Sequence, residues 1–231
     1  ALSARGTGLF LRSPSVAIPI VPCAVLHDLG NSGDKSWGLD PPYQRLGRQS
    51  VDAAAAAFDL GSVGAGRGAM AGLIKGGIGS ASLTLDGGLV VGALVAVNCV
   101  GSALMPDGRT FWSWPFEIGT EFGGRPAPPA DLRAVEPVPD QSRLAELGRD
   151  RAGANTTLAV VACNAELSTA ECKRVAMMAQ DGIARAIRPA HTPFDGDTVF
   201  AVASAARALP ASGLRALHLA GIGSAAADCL A

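Results

Sequence analysis

Charge is what this chain has least to spare. Its 19 Lys and Arg nearly cancel its 20 Asp and Glu, leaving a net charge of −1 across 231 residues. No basic field exists to hold a polyanion or an anionic bilayer, so neither nucleic acid nor membrane is expected as a partner. Aromatic residues are also few, at 5%. What fills the chain instead is small, with 29 Gly and a 48% hydrophobic content. That composition argues against disorder and for a globule whose backbones approach closely. Cysteine offers no framework. Cys23, Cys99, Cys163, Cys172 and Cys229 are odd in number, widely spaced and without a C-x-x-C pair. They are expected as small buried hydrophobes in a reducing compartment, the cytoplasm.

Long apolar spans are missing as well. Residues 87–106 carry no charge, but Gly87, Gly88, Gly92, Asn98, Gly101 and Ser102 interrupt them and Pro106 ends them. Basic and aromatic anchors are absent from both ends, so residues 89–97 read as a buried strand before a turn. The opening Ala1-Leu-Ser-Ala-Arg-Gly6 has neither the basic nor the apolar part of a signal peptide. It also lacks an initiator Met, and the native N-terminus is expected upstream.

Taken in order, residues 1–5 read as the tail of a helix stopped at Gly6 or Gly8. Residues 16–29, with Pro19 and Pro22, read as an edge strand or extended segment, and 30–40 as a loop. Pro41 and Pro42 open a helix that is expected to run through the Ala53–57 stretch toward Gly61. Residues 61–79 are dense in glycine, which costs backbone entropy and so needs a reason. The spacing fits neither a P-loop nor a dinucleotide fingerprint. The remaining reading is a loop whose backbone approaches something closely, with Lys75 either aimed there or simply solvated.

Residues 80–85 and 89–97 read as strands joined at Asp86-Gly87-Gly88, and Asn98 ends the second. Residues 118–153 hold five prolines among interspersed charges and read as a mobile linker. A strand over 156–163 follows. Ser168 and Glu171 then form a capping box for a helix whose core stripe is Val175, Met178, Ala179, Ile183 and Ile187. Pro189 ends that helix, residues 191–197 turn, 198–203 form a strand and 214–230 a last helix.

The junction Asn155-Thr156-Thr157 has two readings. It is a loop entering a buried strand, or a self-cleavage site that would leave Thr156 as an N-terminal nucleophile. The order of the other features bears on the choice: a Gly-rich loop with Lys75, Asn98 at a strand end, the Asn-Thr-Thr junction, then His191-Thr-x-x-Asp195-Gly-Asp197-Thr198. In this order the chain resembles the DmpA family of self-processing aminopeptidases and amidases. That family includes nylon-oligomer hydrolases, β-aminopeptidases and a pantetheine hydrolase, and the wording of 155–200 is most similar to the last. The specific motifs are Val63-Gly-Ala-Gly-x-Gly-Ala, Lys75-Gly76-Gly77-x-Gly, Asn-Thr-Thr and Asp-Gly-Asp.

The resemblance implies an α/β fold, a four-layer αββα sandwich of N-terminal-nucleophile-hydrolase type. It implies one hydrolase domain over 1–231 whose N-terminal part lies before Ala1, cut into a 1–155 α portion, including the 118–153 linker, and a 156–231 β portion. It assigns Thr156 as nucleophile, Asn98 as oxyanion donor, Lys75 as the neighbouring cation, and Asp195 and Asp197 as supports of the new amine. His27 stands where the family often has Tyr, and with Gly76 and Gly77 it is a possible pocket residue. The implied partners are a small amide substrate, the two cleaved portions for each other, and further copies of the chain.

The chemistry is coherent by itself. A Thr hydroxyl needs a base. A freed α-amine, with a reference pKa of about 7.7–8.0, can serve near neutrality. Lys75 would lower that pKa, and the two carboxylates would offset it. The expected substrate is a pantetheine-type amide, cut at a β-alanyl–cysteamine bond in a carbapenem antibiotic pathway. A broader aminopeptidase or β-aminopeptidase, an acyltransferase of the ornithine acetyltransferase type and a non-enzymatic binding domain are the alternatives. No metal or cofactor is expected. Asp195-Gly-Asp197 lacks the remaining ligands of a calcium loop, and His27, His191 and His218 are scattered.

Overall fold

Along residues 89–94 burial follows the two-residue period of a strand. Leu89, Val91 and Ala93 are buried, whereas Val90 and Leu94 are exposed. A computed structural model describes residues 2–10, 16–125, 127–133, 136–144, 155–209 and 215–231. In it this segment is an inner strand of a four-stranded sheet. In chain order the described elements are helix α1 (Tyr43–Asp52), strands β1 (Met70–Ala71), β2 (Ile74–Lys75), β3 (Gly77–Leu85), β4 (Leu89–Asn98) and β5 (Thr156–Ala165), helix α2 (Thr169–Ala186), strand β6 (Thr198–Arg207) and helix α3 (Arg215–Leu230).

The chain divides into two compact units. The smaller comprises Ala1–Ala24 and Gly33–Asp59. In it a 3₁₀ turn, Ser3–Arg5, stops at Gly6, whose φ of 69° is the left-handed cap expected there. Leu9 and Ile18 form an isolated bridge, and Arg5 pairs with Asp52 at 2.5 Å. Residues 16–24 stay extended without becoming a regular strand. Helix α1 ends at Asp52, so the alanine run beyond it is not helical. The reason is physical. Propensity alone rarely holds a short helix, and α1 has no buried residue to add tertiary packing.

The larger unit comprises Val25–Ser32 and Leu60–Ala231. Its sheet has the order β3-β4-β5-β6. The first three strands are antiparallel neighbours, and β6 joins β5 in parallel after the α2 crossover. Helices α2 and α3 pack together on one face. Val175, Ala179, Ile183 and Ile187 of the α2 stripe are buried with Val91, Val161 and Cys163 of the strands and Ile222 of α3. Met178 sits against Gly223, where a β-carbon would meet its sulfur. The capping box forms as read, with the Ser168 hydroxyl taking the Glu171 amide and Glu171 returning to the Ser168 amide.

The opposite face presents Val90, Leu94, Val160 and Val202, each 38–54% exposed. The fold is α/β, and the described sheet and helix pair form two adjacent layers of an αββα arrangement. Cys99, Cys163 and Cys229 are buried as expected, but Cys23 is exposed, and all five are free thiols. None of the described helices is long and apolar enough to cross a membrane.

Candidate active site

Strand register brings the dispersed motifs together. Asn98, the last residue of β4, is the cross-strand partner of Thr156, the first of β5. Parallel pairing with β6 sets Leu158 opposite Thr198, and one bridge further out joins Asn155 to Asp195. Antiparallel β4 ends where parallel β5 and β6 begin, so Asn98, Thr156 and the Asp195-Gly196-Asp197 turn share one end of the sheet. Asn98 is fully buried, and Asn155, Thr156 and Thr157 are at most 4% exposed.

The junction geometry is specific. The Thr156 hydroxyl lies 2.5 Å from the Asn155 carbonyl oxygen, to which it donates. That same oxygen accepts the Gly196 N–H at 2.9 Å. The Asn155 carbonyl oxygen thus accepts two donors, a backbone N–H and the hydroxyl of the next residue.

Asp197 holds the start of β5, and Asp195 holds the chain just past the end of β4. Asp197 Oδ1 accepts the Thr157 N–H at 2.8 Å, and its Oδ2 faces His191 Nδ1 at 2.8 Å. Its side chain is 3% exposed. Asp195 Oδ1 accepts the Val100 N–H at 3.0 Å, and its Oδ2 accepts the Thr192 hydroxyl at 2.6 Å. Burial pushes the Asp195 carboxyl above the ordinary range, the Thr192 and Val100 bonds oppose this, and the charge of Asp197 adds to it. Cys99 lies beside both. Burial, with the Asp195 and Asp197 charges, pushes its thiol up to about 12, so it is unreactive packing.

The remaining expected residues are placed as follows. The Asn98 amino group donates to the His27 carbonyl at 2.8 Å, so it is the backbone of His27, not its ring, that meets the site. Gly76 and Gly77 serve close approach, since a β-carbon on Gly76 would fall 2.0 Å from the Val97 carbonyl oxygen, one residue before Asn98. Lys75 is exposed on β2, and its ammonium donates to the Arg67 carbonyl at 3.4 Å. In the uncut chain that is its described bond, whereas Asn98, Asp195 and Asp197 are already gathered around the junction. Among the described residues no cluster of His, Cys, Asp and Glu could hold a metal ion.

Several site residues lay outside the sequence reading. His191 and Thr192 belong to the motif read around Asp-Gly-Asp, but the sequence assigns neither of them a role in the site. Asn31 and Arg143 gave no signal. Arg143 donates to Asn31 Oδ1 at 2.8 Å, and Asn31 Nδ2 donates to Asn98 Oδ1 at 3.0 Å.

A mixed sheet carrying two packed helices, with a buried threonine opening an inner strand, is the α/β frame that holds this site. More narrowly, the chain belongs to peptidase family S58, whose model matches residues 8–231. It is 44% identical over 224 residues to an uncharacterized aminopeptidase of Mycobacterium bovis, covering 94% of this chain and 62% of that protein. It is 29% identical over 190 residues to a 6-aminohexanoate-oligomer endohydrolase of Agromyces sp., covering 79% of this chain and 49% of that one. Among solved structures it is similar to a Burkholderia sp. beta-aminopeptidase, with a TM-score of 0.52 and 25% identity over 79% of this chain and 47% of the other. The chain therefore spans about three-fifths of the length of the mycobacterial relative (62%).

Proposed function

We propose that this chain is the catalytic part of an amide hydrolase that activates itself by cutting between Asn155 and Thr156. The observation that carries this reading is the approach of the Thr156 hydroxyl to within 2.5 Å of the Asn155 carbonyl oxygen, on which the Gly196 N–H also converges. In the first step Thr156 Oγ1 bonds to the Asn155 carbonyl carbon. The carbon–nitrogen bond breaks, and the nitrogen takes up the hydroxyl proton. Water then opens the resulting ester, leaving an Asn155 carboxylate and a free Thr156 amine and hydroxyl.

The same hydroxyl then serves turnover. The α-amine takes its proton. Asn98 stabilises the oxyanion, a contribution of about 3 kcal/mol for a single donor. Asp197 holds the Thr157 N–H beside the amine, and Asp195 holds the turn and the chain after β4 against it. Lys75, once its ammonium turns from the Arg67 carbonyl toward the new terminus, would lower the amine pKa. An acyl ester on Thr156 hydrolyses to finish the cycle. The two portions stay paired through the β4–β5 register, which spans Val91 to Asn98 on one strand.

The aminopeptidase and 6-aminohexanoate-oligomer endohydrolase relatives support a small amide as substrate. Our narrower proposal, resting on the wording of 155–200, is a pantetheine-type amide in which a β-alanyl group is cut from cysteamine. Two experiments test these in turn. Intact-mass spectrometry of purified protein should show a fragment beginning at Thr156, and Thr156→Ala should leave one uncut, inactive chain. Activity in an uncut protein sinks the mechanism. A panel of pantetheine, β-peptidyl and α-peptidyl amides then sets the substrate, and rapid transfer to ornithine in place of hydrolysis would reassign the protein as an acyltransferase.

A further inference from the structure

Asn98 is not alone at its end of the sheet. Its Oδ1 accepts two donors, the Met70 N–H at 3.1 Å and Asn31 Nδ2 at 3.0 Å. Its Nδ2 donates to the His27 carbonyl at 2.8 Å. Asn31 in turn donates to the Gly68 carbonyl at 2.8 Å and accepts Arg143 Nη1 at 2.8 Å. The backbone groups fix every amide end without ambiguity, because Met70 N–H can only donate and the His27 and Gly68 carbonyls can only accept. Arg143 is itself anchored, its N–H on the Val100 carbonyl at 2.8 Å and its Nη2 on the Cys99 carbonyl at 3.4 Å. These bonds tie both Asn31 and Arg143 to the end of β4.

We propose that Arg143 and Asn31 form a polar relay that strengthens Asn98 as a hydrogen-bond donor to the oxyanion. A guanidinium on Asn31 Oδ1 draws electron density along that amide and makes its N–H a stronger donor. Asn31 then withdraws density from Asn98 Oδ1, which makes the Asn98 N–H groups stronger donors in their turn. Chains of hydrogen bonds in a low-dielectric setting reinforce one another in this way, and a charged donor at the head adds most. One Asn98 N–H is spent on His27. The other is the one that meets the oxyanion, in self-cleavage and in turnover alike. Arg143 and Asn31 touch no reacting atom, so both are positioning residues. The inference rests on the hydrolase reading and adds two residues to it.

Asn31→Asp is the informative change. The carboxylate keeps, and tightens, its pairing with Arg143. It can no longer donate to Asn98 Oδ1 or to the Gly68 carbonyl, and it repels both oxygens. The relay predicts that kcat for an amide substrate falls by roughly tenfold to a hundredfold, part of the loss seen on removing an oxyanion donor outright. KM stays within about twofold, and the Thr156 fragment accumulates more slowly. Arg143→Gln, which keeps a neutral donor, should lower kcat several-fold with KM again unchanged. In an Asn98→Ala background neither substitution should have a further effect, since coupled residues are not additive.

Wild-type kcat and cleavage rate in Asn31→Asp would overturn the relay, as would losses of the same size with and without Asn98. Should Asn31→Asp lose stability, Arg143→Gln decides by the same criteria. Failure of the hydrolase reading itself is distinct, since wild-type protein would then yield no Thr156 fragment at all.

Discussion

A β-carbon placed on Gly196 would sit 3.1 Å from Thr156 Oγ1, and this contact links the Asp-Gly-Asp motif to the proposed nucleophile. That is tighter than ordinary van der Waals contact. The hydroxyl is also held on its other side by the Asn155 carbonyl. Gly196→Ala keeps the N–H that polarises that carbonyl but crowds the attacking oxygen. Displacements well under an ångström slow positioned reactions severely, so self-cleavage should slow by roughly tenfold to a hundredfold while the fold persists. A time course of uncut chain against Thr156 fragment measures it, and an unaltered rate would show that the hydroxyl has room to move.

Lys75 poses a different question, because its described bond runs to the Arg67 carbonyl at 3.4 Å. A cation near the α-amine of cut Thr156 depresses that amine's pKa by like-charge repulsion. Removing it returns the amine toward its reference range of about 7.7–8.0. Lys75→Ala should therefore move the acid limb of kcat/KM to higher pH, since the amine must be unprotonated to act as base. A limb that stays in place would confine Lys75 to bracing the loop at Arg67.

What could be read from the sequence was what is local. The α2 cap was visible because Ser168 and Glu171 are three residues apart, and the buried stripe from Val175 to Ile187 because helical spacing is periodic. Asn98 and Thr156 were legible as strand ends and the resemblance implied one site for both, but their cross-strand pairing was not legible. The Asn31 contacts with Asn98 and Arg143 were not legible, since they span 67 and 112 residues and involve side chains typical of any turn or linker. The alanine run after Asp52 misled for the converse reason, its helix propensity being unsupported by burial. Strands β1 and β2 are two residues each, too short to leave a period. Residues 139–144 had been read only as linker. Yet the Gln141 carbonyl accepts the Leu73 N–H at 3.0 Å, and Ser142 is 1% exposed.

The α2 cap makes a prediction about stability alone. Ser168→Ala removes the acceptor for the Glu171 amide, bonded at 3.3 Å, and should cost about 1 kcal/mol. For a chain of this size that is a fall of roughly 2–4 °C in thermal midpoint, with kcat untouched. Glu171 adds a pH signature. Its bonds from Arg215 and Ser168 hold its carboxyl down at about 2. A depressed carboxyl stabilises the fold above the ordinary carboxylate range and stops doing so as pH falls through its folded value. Arg215→Ala should therefore lower the midpoint at neutral pH, and the gap should close on acidification toward pH 2.

Asp195 has the opposite sign. Burial raises its carboxyl, more than the bonds from Thr192 and Val100 lower it. A carboxyl raised on folding binds its proton more tightly in the native state than in the unfolded one. Its contribution therefore favours folding at low pH and is lost as pH rises through the raised value. At neutral pH the buried charge is a burden on stability that the site retains for function. Asp195→Asn keeps an oxygen for the Val100 N–H and removes the charge. Its thermal midpoint should exceed that of the parent at neutral pH, and the difference should vanish below the carboxylate range, where both states are protonated. Self-cleavage should slow at the same time, because Asp195→Asn weakens the Thr192 bonds that shape the turn placing the Gly196 N–H on the Asn155 carbonyl. Paired melting and cleavage measurements from pH 3 to pH 8 test both halves. A variant less stable than its parent at neutral pH would mean that the bonds to Asp195 outweigh its burial, and that the carboxylate is there to hold the turn together.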